Sequence, residues 1–224
     1  MKLVTSSKGY KGIGMNGFIA HSFDKNAKRY SADLYREWAQ RLAQQIPEDS
    51  DVLEIAPGPG YVAIELAKRT NCRITGLEIS ETFVSIARAN AQQAGVEIDI
   101  RQGNASGMLF ENEMFDFLLC TSSFKNFSEP VKALQEMYRV LKPRGKAWIS
   151  DLKRDVSDET IRDFVANTMK VKGLAGIFMR HTFKRILRPR AYTGEQFREM
   201  VGQTLFSKTE IKSNAMDFEA LLEK

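Results

Sequence analysis

The spacing of apolar positions changes along the chain, and each change marks an element. Tyr30, Leu34, Trp38, Leu42 and Ile46 recur every fourth residue, which predicts one helical face over about 26–45, ended by Pro47. Val52, Leu53 and Ile55 then form a short apolar run, Pro57-Gly58-Pro59-Gly60 can only turn, and Val62, Ile64, Leu66 and Ala67 mark a helix from Tyr61. Residues 73–79 predict a second strand. Ser80 caps the next helix, whose buried face is Phe83, Ile86, Ala87 and Ala94 and whose stop is Gly95.

A third strand over 96–101 alternates Val96, Ile98 and Ile100 with Glu97, Asp99 and Arg101, which predicts a wetter position towards an edge of the sheet. Residues 115–120 are the most apolar strand and therefore central. A helix follows over 128–142, with Val131, Leu134, Met137, Tyr138 and Leu141 on one face, then the break Pro143-Arg144-Gly145 and a fifth strand over 146–152. Strand and helix alternate as a doubly wound parallel sheet requires. Beyond it, Ile161, Phe164, Val165 and Thr168 predict a helix over 157–172, and Thr193-Gly194-Glu195-Gln196 has the spacing of a capping box. Residues 208–213 and 217–222 read as closing strands, the second also compatible with a terminal helix.

Residues 1–25 read as irregular. Gly9, Gly12, Gly14 and Gly17 are spaced among Tyr10, Ile13, Met15, Phe18 and Ile19, too few to build a core and too apolar for a free tail, so the segment is expected to fold over the site as a lid; a disordered terminus is the alternative.

The candidate chemistry begins at the glycine turn. Gly58 and Gly60 let the backbone bend sharply and approach a ligand where the free N–H groups of the next helix point outwards. Glu54 precedes the turn, and Glu78 falls near the carboxyl end of the second strand, where a carboxylate can accept from both hydroxyls of a ribose. Together they point to a nucleoside-containing cofactor. In Gly103-Asn104-Ala105, Asn104 is placed either to bond an adenine edge or simply to turn the chain. Thr121 to Phe127 make a polar and aromatic loop at the same end of the sheet.

With 224 residues and 43% hydrophobic content the chain is expected to be one domain, and it has no run of eighteen apolar residues and no signal-peptide core, which leads us to expect a cytoplasmic protein. Cys72 and Cys120 suggest no disulfide framework, and His21 and His181 are too few for a zinc site. The formal charge of +5 is local: seven basic residues and no acid lie between Phe164 and Gly194, leaving 26 basic against 28 acidic elsewhere. That is the footprint of one region, and no nucleic-acid partner is expected.

The turn Val52-Leu53-Glu54-Ile55-Ala56-Pro57-Gly58-Pro59-Gly60, the acid in Gly76-Leu77-Glu78-Ile79-Ser80, Gly103-Asn104-Ala105, Phe115-Asp116 and Arg139-Val140-Leu141-Lys142-Pro143-Arg144-Gly145-Lys146 resemble, in order, the motifs of class I S-adenosylmethionine-dependent methyltransferases. The subgroup they are most similar to is the small-molecule one that includes quinone-biosynthesis enzymes. The resemblance covers 51–152. It departs from the commonest form of the turn, which has Gly in place of Ala56 and no proline at Pro57 and Pro59.

What the resemblance implies is a Rossmann-like, mostly parallel seven-stranded sheet with an antiparallel C-terminal edge, in a single domain over 1–224. Its parts would be an N-terminal lid and helix (1–46), a cofactor-binding core (51–152), a substrate-covering insertion (153–192) and a closing helix and edge strands (193–224). The cofactor would be S-adenosyl-L-methionine. Glu54 would orient the turn and the methionine amino group, Ala56, Gly58 and Gly60 would line the turn against the cofactor, Glu78 and Ile79 would hold and border its ribose, Asn104 and Ala105 would border the adenine, and Thr121 and Ser122 would face the methionine portion.

Gly58-Pro59-Gly60-Tyr61-Val62-Ala63 also fits G-x-G-x-x-A, so a nicotinamide-dependent oxidoreductase is the rival within the fold, and a non-catalytic nucleotide-cofactor-binding protein the rival outside enzymes. Methyl transfer needs mainly alignment, and a base only for some acceptors. His21, His181, Tyr10 and Tyr192 are the candidates, and the base is left unassigned. The aromatic, aliphatic and basic residues of 170–190 suit a small apolar acceptor with or without negative charge, or contact with an anionic membrane surface; a solvated basic helix is the alternative. The acceptor, the accepting atom and the oligomeric state stay open.

Overall fold

A computed structural model describes residues 9–12 and 14–224. Seven strands form one sheet: β1 (Asp51–Ile55), β2 (Arg73–Glu78), β3 (Asp99–Gln102), β4 (Phe115–Thr121), β5 (Leu141–Leu152), β6 (Lys208–Ser213) and β7 (Asp217–Glu223). Their spatial order is β3-β2-β1-β4-β5-β7-β6. The first five are parallel, and β7 runs antiparallel to both β5 and β6. An antiparallel strand wedged between β5 and β6 sets the sheet apart from the 3-2-1-4-5-6 order of dinucleotide-binding folds. The terminal segment is therefore a strand and not a helix.

The helices are α1 (Phe18–Tyr30), α2 (Ala32–Ala43), α3 (Tyr61–Ala67), α4 (Glu81–Ala94), α5 (Pro130–Val140), α6 (Asp158–Asp163), α7 (Gly173–Thr182) and α8 (Gly194–Val201). Successive residues of a strand face opposite sides of the sheet. Thus Phe117 and Leu119 pack with Trp38, Leu42, Val62 and Leu66 of α2 and α3, while Leu118 and Cys120 pack with Leu134, Met137 and Phe197 of α5 and α8. Cover on both faces is why β4 reads as continuously apolar.

Five sequence expectations are corrected. Residues 18–25 are not irregular but open α1, whose Phe18, Ile19 and Phe23 stay largely exposed and so gave no apolar face to read. The single helix expected over 26–45 is broken at Ser31, which leaves helical geometry at φ −128°. The third strand starts later than residue 96, because the left-handed Gly95 keeps the chain turning and the Val96 N–H still bonds back to the Ala91 carbonyl. The helix expected over 157–172 is regular only to Asp163, then widens through Phe164–Thr168 and stops before Lys170, whose φ is 55°.

The fifth strand begins before residue 146. Leu141 pairs with Phe115, and after an excursion through the left-handed Arg144 the pairing resumes at Lys146 with Phe117.

Of the expected lid, residues 1–8 and 13 lie outside the described residues. The described part crosses the carboxyl end of the sheet. Tyr10 bridges to Phe127, the Lys11 N–H donates to the Asn126 carbonyl at 2.6 Å, Ser80 Oγ donates to the Met15 carbonyl at 2.6 Å, and the Gly17 N–H donates to Thr82 Oγ1 at 3.0 Å.

Candidate active site

All ten residues singled out from the sequence lie at or just beyond the carboxyl ends of β1, β2, β3 and β4. Beyond β1 the chain turns left-handed at Ala56 (φ 54°), Gly58 (φ 56°) and Gly60 (φ 82°), and the Ala56 N–H bonds to the Leu77 carbonyl at 2.8 Å. The three positions differ in what they tolerate. A side chain at Gly60 would crowd Ala87, whereas one at Gly58 would enter open space, the direction from which a ligand can reach the turn.

The two acids face this turn in different ways. Glu78 Oε2 accepts the Gly58 N–H at 3.0 Å and Oε1 accepts the Ser80 N–H at 2.9 Å. Burial raises its pKa, and the backbone N–H groups of Ser80, Gly58 and Ile79 pull it part of the way back. With these N–H groups on one side, the carboxylate keeps acceptor capacity towards the turn for a further donor.

Glu54 is 1% exposed, and neither of its oxygens makes a hydrogen bond. Burial pushes its pKa up to about 8; the Ala63 N–H, close by but outside hydrogen-bond geometry, lowers it and the nearby Glu78 charge raises it again. An acid buried at a ligand turn with no partner is costly, and a cationic group arriving there would offset that cost.

Ile79 and Asn104 sit together under the N-terminal segment: a side chain on Gly9 would come within 2.3 Å of Ile79 Cδ1 and 2.9 Å of Asn104 Nδ2. Asn104 Oδ1 accepts the Ser106 N–H at 2.9 Å, so the turn function is met by one side of the amide and the Nδ2 side is left towards Gly9. Ala105 is buried in the core beside this turn. Thr121 is buried at the end of β4, and Ser122, exposed at φ 53°, donates its N–H to the Ser150 carbonyl at 2.7 Å. Ser123 Oγ donates to the Ala56 carbonyl at 3.3 Å, which joins the β4 loop to the glycine turn. His21 and His181 are both exposed on helices, α1 and α7.

Two arrangements had no signal in the sequence. Lys125 and Asp151 form a buried ion pair at 2.8 Å between the loop after β4 and the end of β5. Asp151 also accepts the N–H groups of Lys125 at 2.6 Å and Leu152 at 2.7 Å, and the Lys125 ammonium bonds to the Ser122 carbonyl, so the pair fixes the loop carrying Ser122. Lys11, from the N-terminal segment, lies against Tyr192. Both pairs join residues distant in the chain, which no local pattern reveals.

Residues 53–149 match the family described as "Methyltransferase domain". The chain is 28% identical over 158 residues to the ubiquinone/menaquinone biosynthesis C-methyltransferase UbiE of Rickettsia typhi, covering 65% of this chain and 62% of that protein. It is 29% identical over 133 residues to the demethylmenaquinone methyltransferase of Thermus thermophilus, covering 59% of this chain and 56% of that one. The chain thus spans about three fifths of the length of these curated relatives. A crystal structure from Methanococcus maripaludis, provisionally described as an S-adenosyl-L-methionine-dependent methyltransferase, superposes with a TM-score of 0.76 at 22% identity, covering 96% of this chain and 95% of that one.

Proposed function

We propose that the chain is a class I S-adenosylmethionine-dependent methyltransferase that transfers a methyl group from S-adenosylmethionine to a small apolar acceptor, a reading supported by the methyltransferase-domain match and the curated relatives. The observation that carries the reading is the constellation of Glu78, pinned by the Gly58 and Ser80 N–H groups, the open face of Gly58, and the buried, unpartnered Glu54.

In this reading Glu78 accepts the two ribose hydroxyls with Ile79 beside them, Asn104 and Ala105 border the adenine, and Ala56, Gly58 and Gly60 follow the cofactor's contour. Glu54 meets the methionine ammonium, and Thr121 and Ser122 line the methionine portion. Bound S-adenosylmethionine supplies a methyl group already activated on a sulfonium. The chain's residues have to hold the acceptor in line and keep water out. The Lys125–Asp151 pair holds the β4 loop in place, and the strap formed by residues 9–12 and 14–17 covers the site.

An apolar acceptor is supported by the curated relatives, one named for ubiquinone/menaquinone biosynthesis and one for demethylmenaquinone, and by the insertion over 153–192, which we assign to cover it. Leu174, Ile177 and Phe178 of α7 are 85%, 55% and 70% exposed on one helical face next to unopposed basic residues. Such a face suits an anionic membrane surface, where an apolar acceptor would concentrate.

Titration with S-adenosylhomocysteine tests the site. Glu78→Ala should weaken binding by about tenfold or more while circular dichroism and the unfolding midpoint stay near wild type, since the lost acceptors are charge-assisted. Unchanged affinity would sink the ribose assignment.

A further inference from the structure

Where the strap meets the end of the insertion, positive charge gathers without a counter-charge. Lys11 Nζ donates to the Tyr192 hydroxyl at 2.5 Å and stands 4.4 Å from the centre of its ring. Tyr192 is held at the end of β5, where Lys153 bridges to it and the Arg154 N–H donates to its carbonyl at 3.0 Å. Its ring lies 5.9 Å from that of the buried Phe124, two residues beyond Ser122. The next strap residue brings a second cation: a side chain on Gly12 (φ 78°) would come within 2.4 Å of Arg190 Nη2.

Three other cations of the region are paired. Lys184 and Arg188 bind Asp158 at 2.9 and 2.7 Å, and Lys125 binds Asp151. Among the described residues no carboxylate lies within ion-pair distance of Lys11 or Arg190, and residues 1–8 and 13 contain no Asp or Glu. Both side chains belong to partly buried residues, so solvent screens them incompletely. The neutral π face and hydroxyl of Tyr192 stabilise the ammonium only in part. Because that hydroxyl accepts from Lys11, its own proton remains to be donated.

We propose that Lys11, Arg190 and the Tyr192 hydroxyl form a recognition site for an oxyanion, carboxylate or phosphate, carried by the methyl acceptor. The inference rests on the methyltransferase reading and adds to it the acceptor's charged group. An ammonium, a planar guanidinium and a hydroxyl converge from two chain segments, a donor set matched to a group with two or three acceptor oxygens. Phe124, itself fully buried, backs the Tyr192 ring and fixes its position. The strap carries one of the cations, so acceptor binding and closure over the cofactor are coupled.

The test uses the full chain with and without saturating S-adenosylhomocysteine. Benzoate and phenyl phosphate are titrated beside the neutral probes benzamide and benzyl alcohol, with binding read by saturation-transfer NMR. At least one anion should bind about tenfold tighter than the neutral probes, and the benzoate and phenyl phosphate arms tell carboxylate from phosphate. Lys11→Met and Arg190→Met should each weaken that anion by about fivefold or more, Tyr192→Phe by about threefold, and Lys11→Arg should keep most of the affinity. A circular dichroism spectrum and urea midpoint near wild type show that each variant is folded. Equal binding of anions and neutral probes, or variants that keep wild-type anion affinity, overturns the proposal and leaves the methyltransferase reading standing. Failure of the wild-type chain to bind S-adenosylhomocysteine overturns both.

Discussion

Glu54 should release a proton when the cofactor site fills. Its carboxyl is buried without a partner and titrates near pH 8 instead of 4.5, so at pH 7 about nine in ten molecules carry it protonated. A cationic ammonium placed against it favours the carboxylate, and binding then expels about 0.9 proton at pH 7, about a half at pH 8 and about 0.1 at pH 9.

The same displacement governs stability without ligand. The folded state holds this proton more tightly than the unfolded state, so stability falls as pH rises from about 4.5 to about 8 and levels off above. The full interval is worth on the order of 5 kcal/mol, from 1.36 kcal/mol per pKa unit. Calorimetry of S-adenosylhomocysteine binding in two buffers of different ionisation heat measures the proton directly. In Glu54→Gln most of the buffer dependence should vanish, together with most of the fall in stability between pH 5 and 8. The raised pKa of Glu78 contributes in the same direction, and the variant separates the two. A binding enthalpy independent of buffer in the wild type, or a release unchanged by Glu54→Gln, would refute the reasoning.

Further outcomes follow from other parts of the structure. Lys125→Met strands the buried Asp151 and should cost about 3 kcal/mol in urea unfolding, the low end for a broken buried pair because two N–H groups still reach that carboxylate; adding Asp151→Asn should recover much of it. Ala56→Gly should raise stability by about 0.5–1 kcal/mol, since Ala at φ 54° is strained while Gly is not, and a lowered urea midpoint would count against that strain. Leu174→Ser and Phe178→Ser should each reduce co-sedimentation with phosphatidylglycerol vesicles by about tenfold, in proportion to the apolar side chain lost, and equal sedimentation would reject the membrane face.

The parts that the sequence made legible are those whose causes are local. The β1 turn, the Thr193–Gln196 capping box and the apolar run of β4 each follow from a few adjacent residues, and Glu54, Gly58 and Glu78 belong to one β-turn-α-β unit in which topology alone brings them together. Tertiary causes stayed hidden. Ser31 breaks two helices with neither glycine nor proline, and α1 keeps its large apolar residues outside. Lys125 and Asp151, or Lys11 and Tyr192, are joined only by the packing of strap, loop and strand end. The strain at Ala56 lay between these cases: the departure from glycine was visible, but its left-handed φ was not.

Separate calorimetric titrations of the purified chain with S-adenosylmethionine, S-adenosylhomocysteine and NAD test the central claim most directly. The two sulfur nucleosides should bind, NAD should leave no heat of binding, and Glu78→Ala should abolish most of the affinity. Binding of NAD without either sulfur nucleoside would contradict it and return the glycine turn to a dinucleotide.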